Sequence, residues 1–181
     1  MTDLNGPLFP LSFVCPDISS KLGPDYFLRP LQLSDYKAGV LEVLKDLTTV
    51  GDVSEERFTE QFEYMRARQG EYFVIIIEKI ATGNVVGVGT LLVERKFIHE
   101  CGLVGHIEDI AVAKSEQGKK LGIKIIGALD FIGKKIGCYK VLGSRHFISR
   151  IILDCSPHNE QFYVKCGYSN AGFEMTKRFD K

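Results

Sequence analysis

Gly105-His-Ile-Glu-Asp-Ile-Ala-Val112, followed after a short polar loop by Gln117-Gly118-Lys119-Lys120-Leu121-Gly122, is the stretch on which the fold turns. The first block is β-branched and apolar at alternate positions and reads as a strand; the second is a glycine-bearing loop entering a helix. A strand, a glycine loop and a helix N-terminus in that order leave backbone N–H groups unpaired where an anion can sit, and the helix dipole adds to the attraction. A pyrophosphate fits there. The loop lacks the G-K-[ST] ending of a P-loop, and Gly118 with Gly122 does not make G-x-G-x-x-G. Nucleoside triphosphates and dinucleotides are therefore poorer candidates than coenzyme A.

Outward from this block, the helical pattern runs to about Ile136, with Leu121, Ile125, Leu129, Ile132 and Ile136 on one face. Upstream, Glu71 to Glu78 and Val85 to Glu94 read as a hairpin turning at Ala81-Thr82-Gly83-Asn84. Tyr26 to Leu33 reads as an opening strand. Ser34 or Asp35 is expected to cap a helix to about Leu47, with Leu33, Leu41, Leu44 and Leu47 facing inward, and a second helix is expected from Ser54, with Phe58, Phe62 and Met65 as its stripe. Downstream, Ile151 to Cys155 is strand-like, Asn159 starts a helix through Lys165 ended by Gly167, and Phe173 to Phe179 is expected to close the sheet. The order predicts an α/β (α+β) architecture: a mixed, mostly antiparallel central sheet with helices on both faces.

The chain has 181 residues, 45% hydrophobic, enough for one core, and the expected organisation is an N-terminal arm over 1–25 at the surface and one domain over 26–181. Lys plus Arg and Asp plus Glu both number 23, so no overall field exists to hold a polyanion, which disfavours a nucleic-acid partner. The longest apolar run, Phe73 to Ile77, is strand-sized, and no membrane span or signal peptide is expected. Five cysteines without a C-x-x-C pair argue for reduced thiols and a soluble, cytoplasmic protein, peripheral at most to endomembranes. His99, Cys101 and His106 lack the paired spacing of a zinc site, so no metal is expected.

The Gln117–Gly122 loop resembles the pyrophosphate-binding motif of the GCN5-related N-acetyltransferases (GNAT), Gln/Arg-x-x-Gly-x-Gly/Ala, with Gln117 and Gly122 matching and Lys120 at the inner glycine position. The resemblance extends from about Tyr26 over most of the chain, and is strongest to the branch of the family whose acceptor is glucosamine 6-phosphate. It is carried by Leu47-Thr-Thr-Val-Gly51, Glu94-Arg-Lys-Phe-Ile-His99, Gly105 to Val112, Cys138-Tyr-Lys140, Ile152-Leu-Asp-Cys155, Asn159 with Phe162-Tyr163, Lys165-Cys-Gly-Tyr168, and Gly172-Phe-Glu-Met175 with Arg178. It implies the GNAT fold, acetyl-CoA as cosubstrate, glucosamine 6-phosphate as acceptor, a step supplying UDP-N-acetylglucosamine synthesis, and a homodimer with the acceptor site at the subunit interface.

Acetyl transfer from a thioester to an amine needs a neutral amine, a polarised carbonyl and a proton for the departing thiolate. The resemblance implies direct attack within a ternary complex, so no nucleophilic cysteine is required. It makes Tyr163 the proton donor to the CoA sulfur, Glu108 the group that takes the amine's proton, through water or directly, and the main-chain carbonyl of Asp154 a contact to the amine. The cosubstrate would lie along Ile110 and Val112, on Gln117, Gly118, Lys119, Lys120, Leu121 and Gly122, and beside Asn159 and Tyr163. The acceptor would meet Thr48, Lys96, Phe97, Ile98, His99, Glu108, Asp109, Lys140, Asp154 and Arg178, with Arg178 the strongest candidate for its phosphate. Read as neighbours on a regular strand, Glu108 and Asp109 should point to opposite faces and form no carboxylate dyad.

Between Lys140 and Ile151 the family pattern passes directly into the strand, whereas this chain carries Val141-Leu-Gly-Ser-Arg-His-Phe-Ile-Ser-Arg150. Arg145, His146 and Arg150 are either added phosphate contacts or exposed loop charge. Two other functions stay open at this level: a GNAT enzyme for another small amine, and an acetyl-CoA-binding form impaired by the insertion.

Overall fold

The computed structural model describes residues 6–138, 150–172 and 175–177. Its sheet is organised around β2 (Tyr72–Lys79), in which Phe73, Val74, Ile75, Ile76 and Ile77 are all buried. Five consecutive buried positions mean that both faces of the strand are covered. β2 pairs antiparallel with β1 (Tyr26–Pro30) and β3 (Asn84–Arg95); β3 pairs antiparallel with β4 (Leu103–Val112); β4 pairs parallel with the short β5 (Arg150–Ile152). The order β1-β2-β3-β4-β5 is the mixed, mostly antiparallel sheet expected from the sequence.

Helix α5 (Leu121–Ile136) packs on β2, β3 and β4, with Leu121, Ile125, Leu129 and Ile132 all buried, as their spacing requires. It ends at Gly137, whose φ of 96° takes the left-handed conformation that closes many helices. Helix α3 (Glu55–Ala67) starts where expected, because the Ser54 side chain accepts a hydrogen bond from the Arg57 N–H and Glu55 and Glu56 sit at its positive end.

The helix expected to run from Ser34 to Leu47 is instead broken in two. A single tight turn, Leu33–Tyr36, precedes Gly39 at φ 91°, and only then does α2 (Val40–Lys45) begin. Asp35 is not the N-cap of a long helix; it closes the capping box of the Leu33–Tyr36 turn. Its carboxylate is fully buried, takes two hydrogen bonds from Arg29 of β1 at 2.7 and 2.8 Å, and accepts from the Gln32 N–H at 2.7 Å. Arg29 also donates to Glu78, so the turn is tied to the sheet by a paired charge. With the helix rotated, Val40 and Val43 are its innermost residues and Leu47 is exposed.

The described part of the segment expected to be a surface arm contributes to the core. Leu8, Phe9, Val14 and Leu22 are buried, the Phe9 ring meets Phe73 at 5.0 Å in an edge-on contact, and the Leu8 N–H donates to the Leu31 carbonyl. Helix α1 (Pro16–Ser20) lies against α5. The last strand expected, Phe173 to Phe179, falls largely outside the described residues, and Met175–Lys177 are not in a strand.

Candidate active site

β4 does not stay regular through its polar centre. On β3, Thr90 faces Glu108 and Val88 faces Ala111, so the single residue Gly89 stands against the two residues Asp109 and Ile110. That is a β-bulge, and Asp109 takes it up with φ 56°. A Cβ on Gly89 would lie 2.4 Å from Ile125 Cγ2 and 2.7 Å from Ile110 Cδ1, so only glycine lets β3, the bulge and α5 approach this closely. The alternation expected to send Glu108 and Asp109 to opposite faces is thus interrupted, and both side chains are exposed.

On its other side β4 pairs with β5 only from Val104 to His106. The strand expected to reach Cys155 ends at Ile152, and past His106 the described part of β4 has no partner on that edge. The strands part there, and the backbone of Ile110 and Val112 lies on the open edge, able to pair with an extended amide-bearing ligand.

Glu108 lies within electrostatic reach of three other side chains singled out from sequence, Asp109, Asp154 and Tyr163. Although its side chain reaches the surface, partial desolvation by the surrounding protein raises the Glu108 carboxyl above its ordinary value, and the negative charges of Asp109 and Asp154 push the same way against His106. Asp109 is also raised, by desolvation. Burial likewise pushes the Tyr163 phenol up, helped by Cys155, Cys166 and the charge of Glu108. Tyr163 is held in α6 (Glu160–Lys165), its ring 5.0 Å from Phe162 and 6.3 Å from Tyr168, whose hydroxyl donates to Asp130 of α5.

The Gln117–Gly122 loop has a form suited to an anion. Gly118 and Lys120 are left-handed at φ 80° and 62°, and Lys120 is the residue from which α5 starts. The left-handed turn costs a non-glycine residue about 1–2 kcal/mol, so the surroundings must hold it. The Gln117 amide donates to the Val112 carbonyl, tying loop to strand. At Gly122 an added Cβ would meet the Phe162 ring at 3.1 Å; the glycine therefore also seats α6, and with it Tyr163, against the start of α5. Asn159 precedes α6 without capping it and donates to Ser156.

The acceptor segment is less complete. Lys96 is already ion-paired with Glu94, which also meets His106 at 3.0 Å, and both contacts hold the Glu94 carboxyl below its usual range. Phe97 and Ile98 are exposed, and His99 sits at φ 54° in the left-handed turn α4 (Ile98–Cys101) that leads into β4. Thr48 follows α2 and, with Lys45, Thr49 and Asp52, borders a shallow opening of about 390 Å³. A larger cleft of about 610 Å³ lies beside it, between Tyr36 and Val53, and none of Glu108, Asp109, Asp154 or Tyr163 lines it. Lys140, Arg178 and residues 141–149 of the insertion lie outside the described residues; Arg150, read as the insertion's end, opens β5 and is exposed. Among the described residues no three His, Cys, Asp or Glu side chains are grouped to hold a metal ion, and no helix is long and apolar enough to cross a membrane.

The sequence profile of the acetyltransferase (GNAT) family matches residues 38–168, which contain the bulge, the loop and Tyr163. The chain belongs to that family. Among its GNAT relatives, the glucosamine 6-phosphate N-acetyltransferase of Candida albicans is 50% identical over 154 residues, covering 85% of this chain and 96% of that protein. The protein of the same name from Arabidopsis thaliana is 39% identical over 153 residues, with 84% and 96% covered. A crystal structure of the glucosamine-6-phosphate N-acetyltransferase from Arabidopsis thaliana superposes with a TM-score of 0.78 at 37% identity, covering 86% of this chain and 99% of that one. A putative acetyltransferase from Agrobacterium tumefaciens, at 18% identity and TM-score 0.67, shares the GNAT fold.

Some residues of the site had no sequence signal. Gly89, Phe162 as the partner of Gly122, and the Glu94–His106 contact all depend on pairings across strands or between helices, which local patterns do not encode.

Proposed function

We propose that this chain transfers the acetyl group of acetyl-CoA to the amine of glucosamine 6-phosphate, giving N-acetylglucosamine 6-phosphate, the precursor of UDP-N-acetylglucosamine. The observation that carries this is the 50% identity to the Candida albicans glucosamine 6-phosphate N-acetyltransferase over nearly the full length of that protein.

In this proposal the acetyl-CoA diphosphate rests on the N–H groups of residues 117–122 at the start of α5, and the pantetheine amides pair with the open β4 edge at Ile110 and Val112. The chain offers both: a left-handed turn at a helix N-terminus and an edge of β4 left open where β5 ends. Glu108, raised by partial desolvation and like charges, is matched to taking the proton of the attacking ammonium, with or without an intervening water. The amine nitrogen then attacks the thioester carbonyl, the C–N bond forms and the C–S bond breaks. Tyr163 gives its proton to the departing sulfur, and the second proton, which the nitrogen sheds as the amide forms, returns to the phenolate through solvent; a phenol pushed up by burial is fully protonated at neutral pH, as that role needs. Asp154 contributes its carbonyl to the amine. Thr48, Lys96, Phe97, Ile98, His99 and Asp109 line the acceptor, with Lys140 and Arg178 as its phosphate cations. We assign the acceptor site to a homodimer interface, a reading supported by the exposed Phe97 and Met175, each more than nine-tenths accessible.

The test is release of CoA thiol by purified protein with acetyl-CoA and glucosamine 6-phosphate, set against glucosamine, glucose 6-phosphate and spermidine. Turnover confined to glucosamine 6-phosphate is the expected outcome. Binding of acetyl-CoA without turnover on any amine would replace this proposal with that of an impaired acetyl-CoA-binding form.

A further inference from the structure

Glu116 is the last residue of the turn Lys114–Glu116, immediately before the cofactor loop, and it is an ionised carboxylate only 3% exposed. One oxygen accepts from the Tyr26 hydroxyl and from Lys119 Nζ, each at 2.5 Å; the other accepts from Lys79 Nζ at 2.7 Å. Lys119 also donates to the Tyr26 hydroxyl at 3.1 Å. Tyr26 and Lys79 are register partners at the end of the β1–β2 pair, whereas Lys119 belongs to the loop itself.

One buried carboxylate therefore fastens the start of the loop and its middle to the same rigid corner of the sheet. Between those two points lies Gly118 in the left-handed conformation, and just after them Lys120 in the same conformation without the freedom of a glycine. A loop of this shape holds its N–H groups toward one point only while something fixes both of its ends. The far end is fixed by Phe162 against Gly122. The near end has Glu116. The three donors hold its carboxyl down to about 2, and the hydrogen bonds to Glu116 and to the Tyr26 hydroxyl raise Lys119 to about 12, so the cluster stays ionised through the neutral range.

We propose that Glu116, through Lys119, Lys79 and Tyr26, is a positioning residue that preorganises the 117–122 loop for the diphosphate of the cosubstrate. This rests on the acetyl-CoA reading above. Glu116 touches no reacting atom, and its contribution is to the cost of ordering the loop on binding.

The experiment compares full-length wild type with Glu116→Gln and Lys79→Met, each with acetyl-CoA and with S-acetylpantetheine, which has the thioester arm and lacks the diphosphate. Expected for Glu116→Gln is a rise in the KM for acetyl-CoA of roughly tenfold, the scale of a small misplacement of binding groups, with kcat and the acceptor KM within about twofold. kcat/KM with S-acetylpantetheine should not change. Lys79→Met, which removes a donor outside the loop, should give the same pattern at smaller size and keeps the test alive if Glu116→Gln does not fold. Equal losses with both thioesters would overturn the proposal in favour of general destabilisation, and an unchanged or lower KM for acetyl-CoA would overturn it outright. Wild type that binds CoA by calorimetry and acetylates nothing would sink the enzymatic reading alone. The comparison of CoA with pantetheine binding would then decide the role of Glu116, and wild type that binds no CoA would overturn both.

Discussion

At the scale of single residues, the site depends on shifts with opposite uses. Glu108 is raised by partial desolvation, by Asp109 and by Asp154, so as pH falls it takes up a proton earlier than an ordinary carboxylate. As a base it works only when deprotonated. The acidic limb of kcat/KM should therefore lie above the usual carboxylate value near 4.3, and Glu108→Gln should remove the limb along with most of the rate. A limb at or below the ordinary value would take the proton-removal role away from Glu108. Tyr163→Phe keeps the ring contacts with Phe162 and Tyr168 and deletes only the hydroxyl. It should lower kcat about a hundredfold, the range of a lost general acid, with little change in the KM for acetyl-CoA. Glu108, Asp154 and Tyr163 were legible as candidates from their blocks of sequence. The bulge that brings Asp109 beside Glu108 was not, because a bulge is a property of two strands in register.

At the scale of elements, Gly89 joins fold and function. It sits where β3 must pass under both the bulge and α5, and a methyl group there would overlap Ile125 and Ile110. Gly89→Ala should destabilise the protein by about 1–3 kcal/mol, the cost of overpacking a core, read from urea unfolding, and lower activity at temperatures where the fold is intact. A fully active, fully stable alanine variant would show that the bulge is not held in place by this contact. The start of α3 followed from a capping residue and the end of α5 from periodicity, which are local. The break between the Leu33–Tyr36 turn and α2 did not, since it depends on Arg29 drawing Asp35 into the sheet from six residues away in sequence and on another element.

At the scale of the whole molecule, the first residues of the described chain complete the core. Phe9 is buried against Phe73, and Phe9→Ala should cost about 3 kcal/mol, seen as a lowered Tm with the kinetic constants of the surviving folded protein unchanged. If Phe9→Ala leaves the Tm where it was, the N-terminal segment contributes nothing to stability. The sequence by itself determined the order of the strands β1 to β5 and of α3, α5 and α6, the glycine loop before α5, the apolar faces of α3 and α5 and the family of the chain, because capping, periodicity and motif spacing are written along one dimension. Only the tertiary structure decided that the N-terminal segment packs inside, that the alternation of β4 breaks at Asp109, and that Glu116 gathers Tyr26, Lys79 and Lys119. Each of these joins residues far apart in sequence. Whether an apolar residue is covered, or a carboxylate paired, is set by what the rest of the chain brings alongside it.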